Sequence, residues 1–69
     1  MAIKWTNIYS NEQGYVQSID SKESHFVNTF DITSAKVYKT ISAAKAAIKK
    51  LIELGEGTNN TFEIVSVNA

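Results

Sequence analysis

The sequence predicts an α+β domain, in which an antiparallel β-sheet carries one amphipathic helix packed on one of its faces. One long segment has apolar residues at helical spacing, and shorter segments are rich in β-formers and separated by polar turns. A chain of 69 residues has room for a single domain, spanning 1–69. The predicted element order is β-β-β-β-α-β, and the short turns favour a meander of neighbouring strands.

The predicted strands before the helix are recognised by residue type and alternation; they cover residues 3–9, 15–19, 25–30 and 35–39. In the first strand Ile8 is out of phase with Trp5, which indicates a β-bulge. Alternation in the second strand places Tyr15 and Ile19 on the same face.

The predicted helix covers residues 41–54, followed by a strand at 62–67. The apolar positions of the helix are Ile41, Ala44, Ala47, Ile48, Leu51 and Ile52. Thr40 is a plausible N-cap, with Ser42 as the alternative, and Gly55 is placed to end the helix. The last strand is apolar enough to predict a central position in the sheet, but the sequence does not indicate which strand it pairs with.

Composition and charge exclude several kinds of function. The 7 lysines balance the 7 acidic residues, and the chain has no arginine, which argues against a dedicated nucleic-acid binder. Residues 1–33 carry two lysines against four acids and residues 34–69 five lysines against three acids, so the charge is dipolar. Without cysteine, and with His25 as the single histidine, we expect no His/Cys zinc site, no other metal and no cofactor.

Catalysis is not expected either. His25 lies in a polar turn beside Glu23 and Ser24, and three neighbours in one turn do not form a catalytic triad, whose members converge from separate elements. We therefore expect a surface histidine and no enzyme. No apolar run has the length of a membrane span, and the first residues lack the apolar core of a signal peptide, so a cytoplasmic protein without membrane contact is expected.

The aromatic and basic residues suggest a recognition surface. A domain this small needs most of its large apolar groups inside, so four aromatics are predicted in the core: Trp5, Phe26, Phe30 and Phe62. Tyr9 and Tyr15 flank a turn and are predicted to be exposed. The candidate interaction surface combines these two tyrosines with four lysines, namely Lys36, Lys39, Lys45 and Lys49.

Two resemblances follow from local motifs. Residues 35–40 (AKVYKT) and the Ala-rich residues 41–48 resemble the short strand, Thr cap and helix that end the AP2-like DNA-binding domains of phage integrases. Those domains carry a basic sheet and usually end at the helix, whereas this chain is acidic before the helix and continues after it. No base-reading residue is therefore carried over.

The longer pattern of GYVQSID, TFDITSAKVYKT, an Ala/Lys/Ile helix and FEIVSV resembles small phage and prophage proteins of low-GC Gram-positive bacteria. This resemblance implies an accessory protein. Together these observations predict a non-catalytic protein-interaction module that modulates a host protein or assembles with itself. The alternative is a weak nucleic-acid-binding domain that uses the lysine patch, with affinity that falls steeply with salt.

Overall fold

A computed structural model describes residues 1–20 and 22–67 and has the α+β fold that the sequence predicts. Strands β1 (Ala2–Asn7), β2 (Gln13–Asp20) and β3 (His25–Thr29) come first, and a 3-10 turn (Ile32–Ser34) follows them. Helix α1 (Ile41–Glu53), a second 3-10 turn (Glu56–Thr58) and strand β4 (Asn60–Val65) complete the described chain. Ser21, in the predicted turn at 20–24, lies outside the described residues.

The strands form one four-stranded antiparallel sheet in the order β3-β2-β1-β4. Strand β4 is antiparallel to β1 and lies at the edge, so the predicted central position of this strand is wrong. Helix α1 covers the sheet face on which Phe62 lies. The apolar side of β4 therefore packs against the helix and does not need a second neighbouring strand. An apolar strand can therefore occupy an edge when a helix lies over it.

The predicted strand at 35–39 is also wrong, and the element order is β-β-β-α-β. Lys36 N donates to the Val16 carbonyl oxygen (3.1 Å), while Tyr38 N donates to Met1 O (2.6 Å) and Met1 N to Tyr38 O (3.0 Å). These bonds go to two different strands, because the segment crosses from β2 to the start of β1 on its way to the helix. A crossing segment has no single neighbour along which a ladder could extend.

A β-bulge lies in β2, between Val16 and Ser18, and not in the first strand. The extra residue shifts the alternation, so Val16 and Ile19 both lie on the core side and Tyr15 on the opposite face. The prediction that Tyr15 and Ile19 share a face is therefore wrong. Strand β1 ends at Asn7, and Ile8 is out of phase because it belongs to the following turn.

Helix α1 confirms both predicted caps. The Thr40 hydroxyl oxygen accepts a hydrogen bond from Ala43 N (3.1 Å), and Gly55 ends the helix in the left-handed conformation with φ of 91°. Of the predicted apolar stripe, Ala44 and Leu51 are fully buried. Ile41 and Ile52 are 51% and 57% exposed, which shows that the stripe is wider than the surface it covers.

The core lies between the sheet and α1 and is built on Ile3, Trp5, Val16 and Leu51. The Trp5 ring centroid is 6.2 Å from that of Phe26 and 6.1 Å from that of Phe30. Phe26 and Phe62 are half-buried against this core, as predicted. Phe30 is 68% exposed although its ring lies near the indole, so its predicted burial is wrong: it lies just beyond β3, at the margin of the sheet.

Candidate interaction surface

A groove of about 460 Å³ opens between the second half of α1 and strand β4. Ile48 and Ile52, one helical turn apart, form one wall, and Phe62 of β4 forms the other. Gly57, Thr58, Asn60 and Thr61 line the rest. The groove is mainly apolar, and Ile52 is more than half exposed within it. Such a surface gains free energy when a partner removes it from water.

The outer edge of β4 borders this groove and pairs with no other strand among residues 1–20 and 22–67. Ile8 N donates to Asn59 O (2.9 Å), which extends the β1–β4 register by one bonded pair. In an antiparallel ladder, hydrogen-bonded and non-hydrogen-bonded residue pairs alternate. Counting along β4 in steps of two from Asn59, Thr61 and Glu63 are the residues whose backbones are hydrogen-bonded to β1. The backbone N–H and C=O groups of Asn60, Phe62 and Ile64, the alternate residues of β4, therefore point away from β1.

Two exposed lysines of α1 lie outside the set of residues that line the groove. Successive helical residues are separated by roughly 100° around the axis. Lys45 therefore lies on the same flank of α1 as Ile48 and Ile52, but it is turned farther from the core than either isoleucine. Lys49 lies one turn later, on the side of α1 turned away from the buried Ala44 and Leu51, and both lysines are exposed. Lys50 lies on the opposite flank. The residues that line the groove are apolar or uncharged, and Lys45 and Lys49 lie beyond them.

The structure does not bring the six predicted surface residues together. Tyr9 is 77% exposed in the β1–β2 turn, whereas Tyr15 is half-buried on the sheet face opposite α1, where it pairs with Lys4. Lys36 and Lys39 lie on the exposed segment that leads into α1, and the Lys36 ammonium is 5.5 Å from the centroid of the Tyr38 ring. Of the six, the pair Lys45 and Lys49 lies in α1, one turn apart.

Sequence reasoning missed the apolar part of this surface. The sequence predicts Phe62 in the core and Ile48 and Ile52 among the apolar positions of the helix; Ile48 and Phe62 pack against the core and also line the groove, which local pattern does not indicate. The sequence did contain a signal for an exposed apolar surface. The six apolar positions spread over more of the helix circumference than one contact with a sheet covers. The outermost of them, Ile41 and Ile52, are the exposed ones.

The titratable groups do not converge on this surface. The hydrogen bonds from the Thr33 hydroxyl (2.7 Å) and the Thr33 backbone N (2.9 Å) lower the pKa of Asp31, far along the chain from α1. His25 is exposed, and its Nδ1 lies 3.3 Å from the Phe26 carbonyl oxygen. Within the described ranges, no three His, Cys, Asp or Glu side chains are grouped as metal ligands would be.

Comparison of the chain with protein-family models, with curated proteins and with solved structures found no significant match. Within the part of the chain that the structure describes, no helix has the length and apolar character needed to cross a membrane.

Proposed function

We propose that this chain is a non-catalytic protein-interaction module that binds through the outer edge of β4. The observation that carries the proposal is the open edge of β4 beside an apolar groove. An unpaired edge offers a row of backbone donors and acceptors, and an extended segment of another chain can add to it as a further strand. The groove then provides a place for the side chains of the added strand.

The setting we propose is that of a cytoplasmic accessory protein of phage type that modulates a host protein. It draws on the resemblance of the chain to small phage and prophage proteins. The distribution of the lysines supports protein binding over nucleic-acid binding. A nucleic-acid surface would need the four lysines and two tyrosines on one face, whereas Tyr15 lies on the sheet face opposite α1.

The proposal is tested by selecting random displayed peptides on the immobilised domain. Ile64→Pro removes an outward backbone donor from β4 without removing a bond to β1, since proline is tolerated on the free side of an edge strand. Ile64→Val is the matched control, because it keeps the donor and the β-branched side chain. We expect enriched peptides to bind the wild type and Ile64→Val, and to lose at least about tenfold in affinity for Ile64→Pro.

Thermal unfolding of the three proteins would confirm that Ile64→Pro is still folded at the assay temperature. A selection without enrichment, together with a monomer at all concentrations in sedimentation, would contradict the proposal. Equal binding to Ile64→Pro would also contradict it, because the edge would then have no role. A concentration-dependent dimer that Ile64→Pro abolishes would support binding at the edge, with a second copy as the partner.

A further inference from the structure

We infer that the partner at the edge of β4 is a second copy of this chain, paired strand to strand about a two-fold axis that passes through Phe62. The inference rests on the proposed function and names the partner that the edge takes. Three features of the described residues carry it: the regularity of the β4 edge, the pairing that a two-fold axis gives its residues, and the small core of the single chain.

The edge of β4 lacks the features by which proteins protect an open strand, which are proline, lysine, bulges and inward charges. The ladder between β1 and β4 runs from the pair Ala2 and Val65 to the pair Asn7 and Asn60 without a register shift. The strand holds neither proline nor lysine, and its single charged residue is Glu63. The other open edge of the described sheet, β3, is one residue shorter and pairs with β2 across a bulge. Of the two edges, β4 is therefore the better suited to accept a further strand.

Charge selects the register of the two-fold pair. With the axis through Phe62, the outward backbone groups of Phe62 bond to those of its own copy, and Asn60 bonds to Ile64. On the other sheet face, Glu63 then lies opposite Thr61 of the second copy. An axis through Glu63 overlaps as many residues of β4, but it places two carboxylates opposite each other, which is destabilising. Axes through other residues of β4 overlap fewer. The axis through Phe62 thus extends the sheet without opposing like charges.

The same axis brings the two apolar grooves together. Phe62 lies on the helix side of β4, so its ring lies beside that of the second copy as a cross-strand aromatic pair. Helix α1 contacts both β1 and β4, and a helix centred over these two strands lies about 10 Å, two strand spacings, from its counterpart. Helices in direct contact are about 8–10 Å apart. Ile48 and Ile52, which lie at the level of Phe62, therefore face the same side chains of the second helix.

The small core of the single chain gives this contact a role in stability. Of the large side chains in the described chain, only Ile3, Val16 and Leu51 are fully buried, and the sequence has no cysteine to form a disulfide. Domains of this size commonly gain stability by oligomerisation. The seam is small, because the six residues of β4 and four further groove residues make about ten per copy, against about 20–30 in a standard interface. We therefore expect a weak dimer.

The dimer is tested by sedimentation velocity of the full chain from about 1 μM to about 1 mM. We expect a monomer at the lowest and a dimer at the highest concentration. Ile64→Pro removes an outward donor from each copy and should leave a monomer, whereas Ile64→Val should dimerise like the wild type. At high concentration the outward amides of Phe62 and Ile64 should exchange their hydrogens about threefold more slowly or less than that fast, because they become bonded. Those of Thr61 and Glu63, already bonded to β1, should change little.

The register is tested by the charge at Thr61, an exposed residue that lies opposite Glu63 of the second copy. Thr61→Lys creates two lysine–glutamate pairs per dimer and should tighten dimerisation by about two- to tenfold. Thr61→Glu opposes like charges and should weaken it by a similar factor. Both effects should shrink at high salt. Gln17→Lys and Gln17→Glu, at an exposed position of β2, make the same charge changes away from the seam and should leave the dissociation constant unchanged.

Thermal unfolding of each variant would confirm that it is folded at the assay temperature. A dimer that responds equally to Thr61→Lys and Thr61→Glu would overturn the register and with it the inference. A monomer at every concentration would also overturn the inference. If displayed peptides then still bind the wild type and lose affinity for Ile64→Pro, the proposed function stands and the partner is another protein.

Discussion

The indole ring of Trp5 lies directly on the backbone of Gly14, its cross-strand neighbour in the β1–β2 pair. A Cβ atom on Gly14 would lie 2.8 Å from Cε2 and Cζ2 of the indole, and 2.9 Å from Nε1. Real Cβ atoms do not approach other atoms so closely. Glycine in a strand interior costs stability, and here it allows Trp5 to lie across the sheet toward Phe26 and Phe30.

The first prediction concerns this contact. Gly14→Ala should lower the free energy of unfolding by about 1–3 kcal/mol, because the indole must move away from the added methyl group. Gln13→Ala, at an exposed position of the same strand, should change it by less than about 0.5 kcal/mol. Urea denaturation followed by Trp5 fluorescence measures both. An unchanged unfolding midpoint for Gly14→Ala would show that the indole does not lie on Gly14.

The second prediction concerns the end of the helix. Gly55 has φ of 91°, and a Cβ atom there would meet nothing within 4 Å. Any decrease in the free energy of unfolding of Gly55→Ala must therefore come from backbone conformation. We expect this decrease to be about 1–2 kcal/mol. Gly55→Asn should lose less, because asparagine tolerates the left-handed region better. A D-alanine introduced at this position by chemical synthesis should cost little, and a loss as large as that of L-alanine would contradict the explanation.

The third prediction concerns the start of the helix. Thr40→Ala removes the hydroxyl that accepts from Ala43 N and should cost about 1 kcal/mol of unfolding free energy. Thr40→Ser keeps the acceptor and should retain most of this stability. Ser42 was the alternative cap, so Ser42→Ala is the informative comparison. A larger loss for Ser42→Ala than for Thr40→Ala, measured by chemical denaturation, would reverse the assignment.

The fourth prediction concerns alkaline pH. Burial raises the pKa of Tyr38 above its ordinary value of 10.0, because the ionised phenolate is poorly solvated in the fold. The unfolded chain therefore ionises first as pH rises, so the contribution of Tyr38 is fully present below pH 10.0 and is lost as pH rises through the raised pKa.

Tyr38→Phe should remove this part of the alkaline loss of stability. The Tyr38 hydroxyl is buried without a hydrogen-bond partner among the described residues, so the change should be nearly neutral at pH 7. Unfolding midpoints measured from pH 7 to 11 test both statements. Tyr9→Phe is the control, because Tyr9 is largely exposed. Parallel pH profiles for the wild type and Tyr38→Phe would contradict the prediction.

Sequence-based prediction succeeded for elements with strong local signals. It failed where the structure of a segment depends on the segments that pack against it. The helix was predicted within one residue of its observed end, because apolar spacing, Thr40 and Gly55 all act within a few residues of one another. The segment at 35–39 has the composition of a strand, yet its backbone bonds to Val16 within β2 and to Met1 just before β1. The same limit applies to the candidate surface: the apolar groove depends on the edge position of β4, which no local pattern indicates.

By itself, the sequence determined the fold class, the helix with its caps and the approximate positions of β1 to β4, because these depend on propensity and on alternation along the chain. Only the tertiary structure decided that β4 pairs with β1 at an edge, that a bulge turns Tyr15 away from the core, and that Ile52 stays exposed beside Phe62. Those outcomes depend on which surfaces meet in space. Contacts between residues far apart in the sequence leave little trace in the local pattern of either segment.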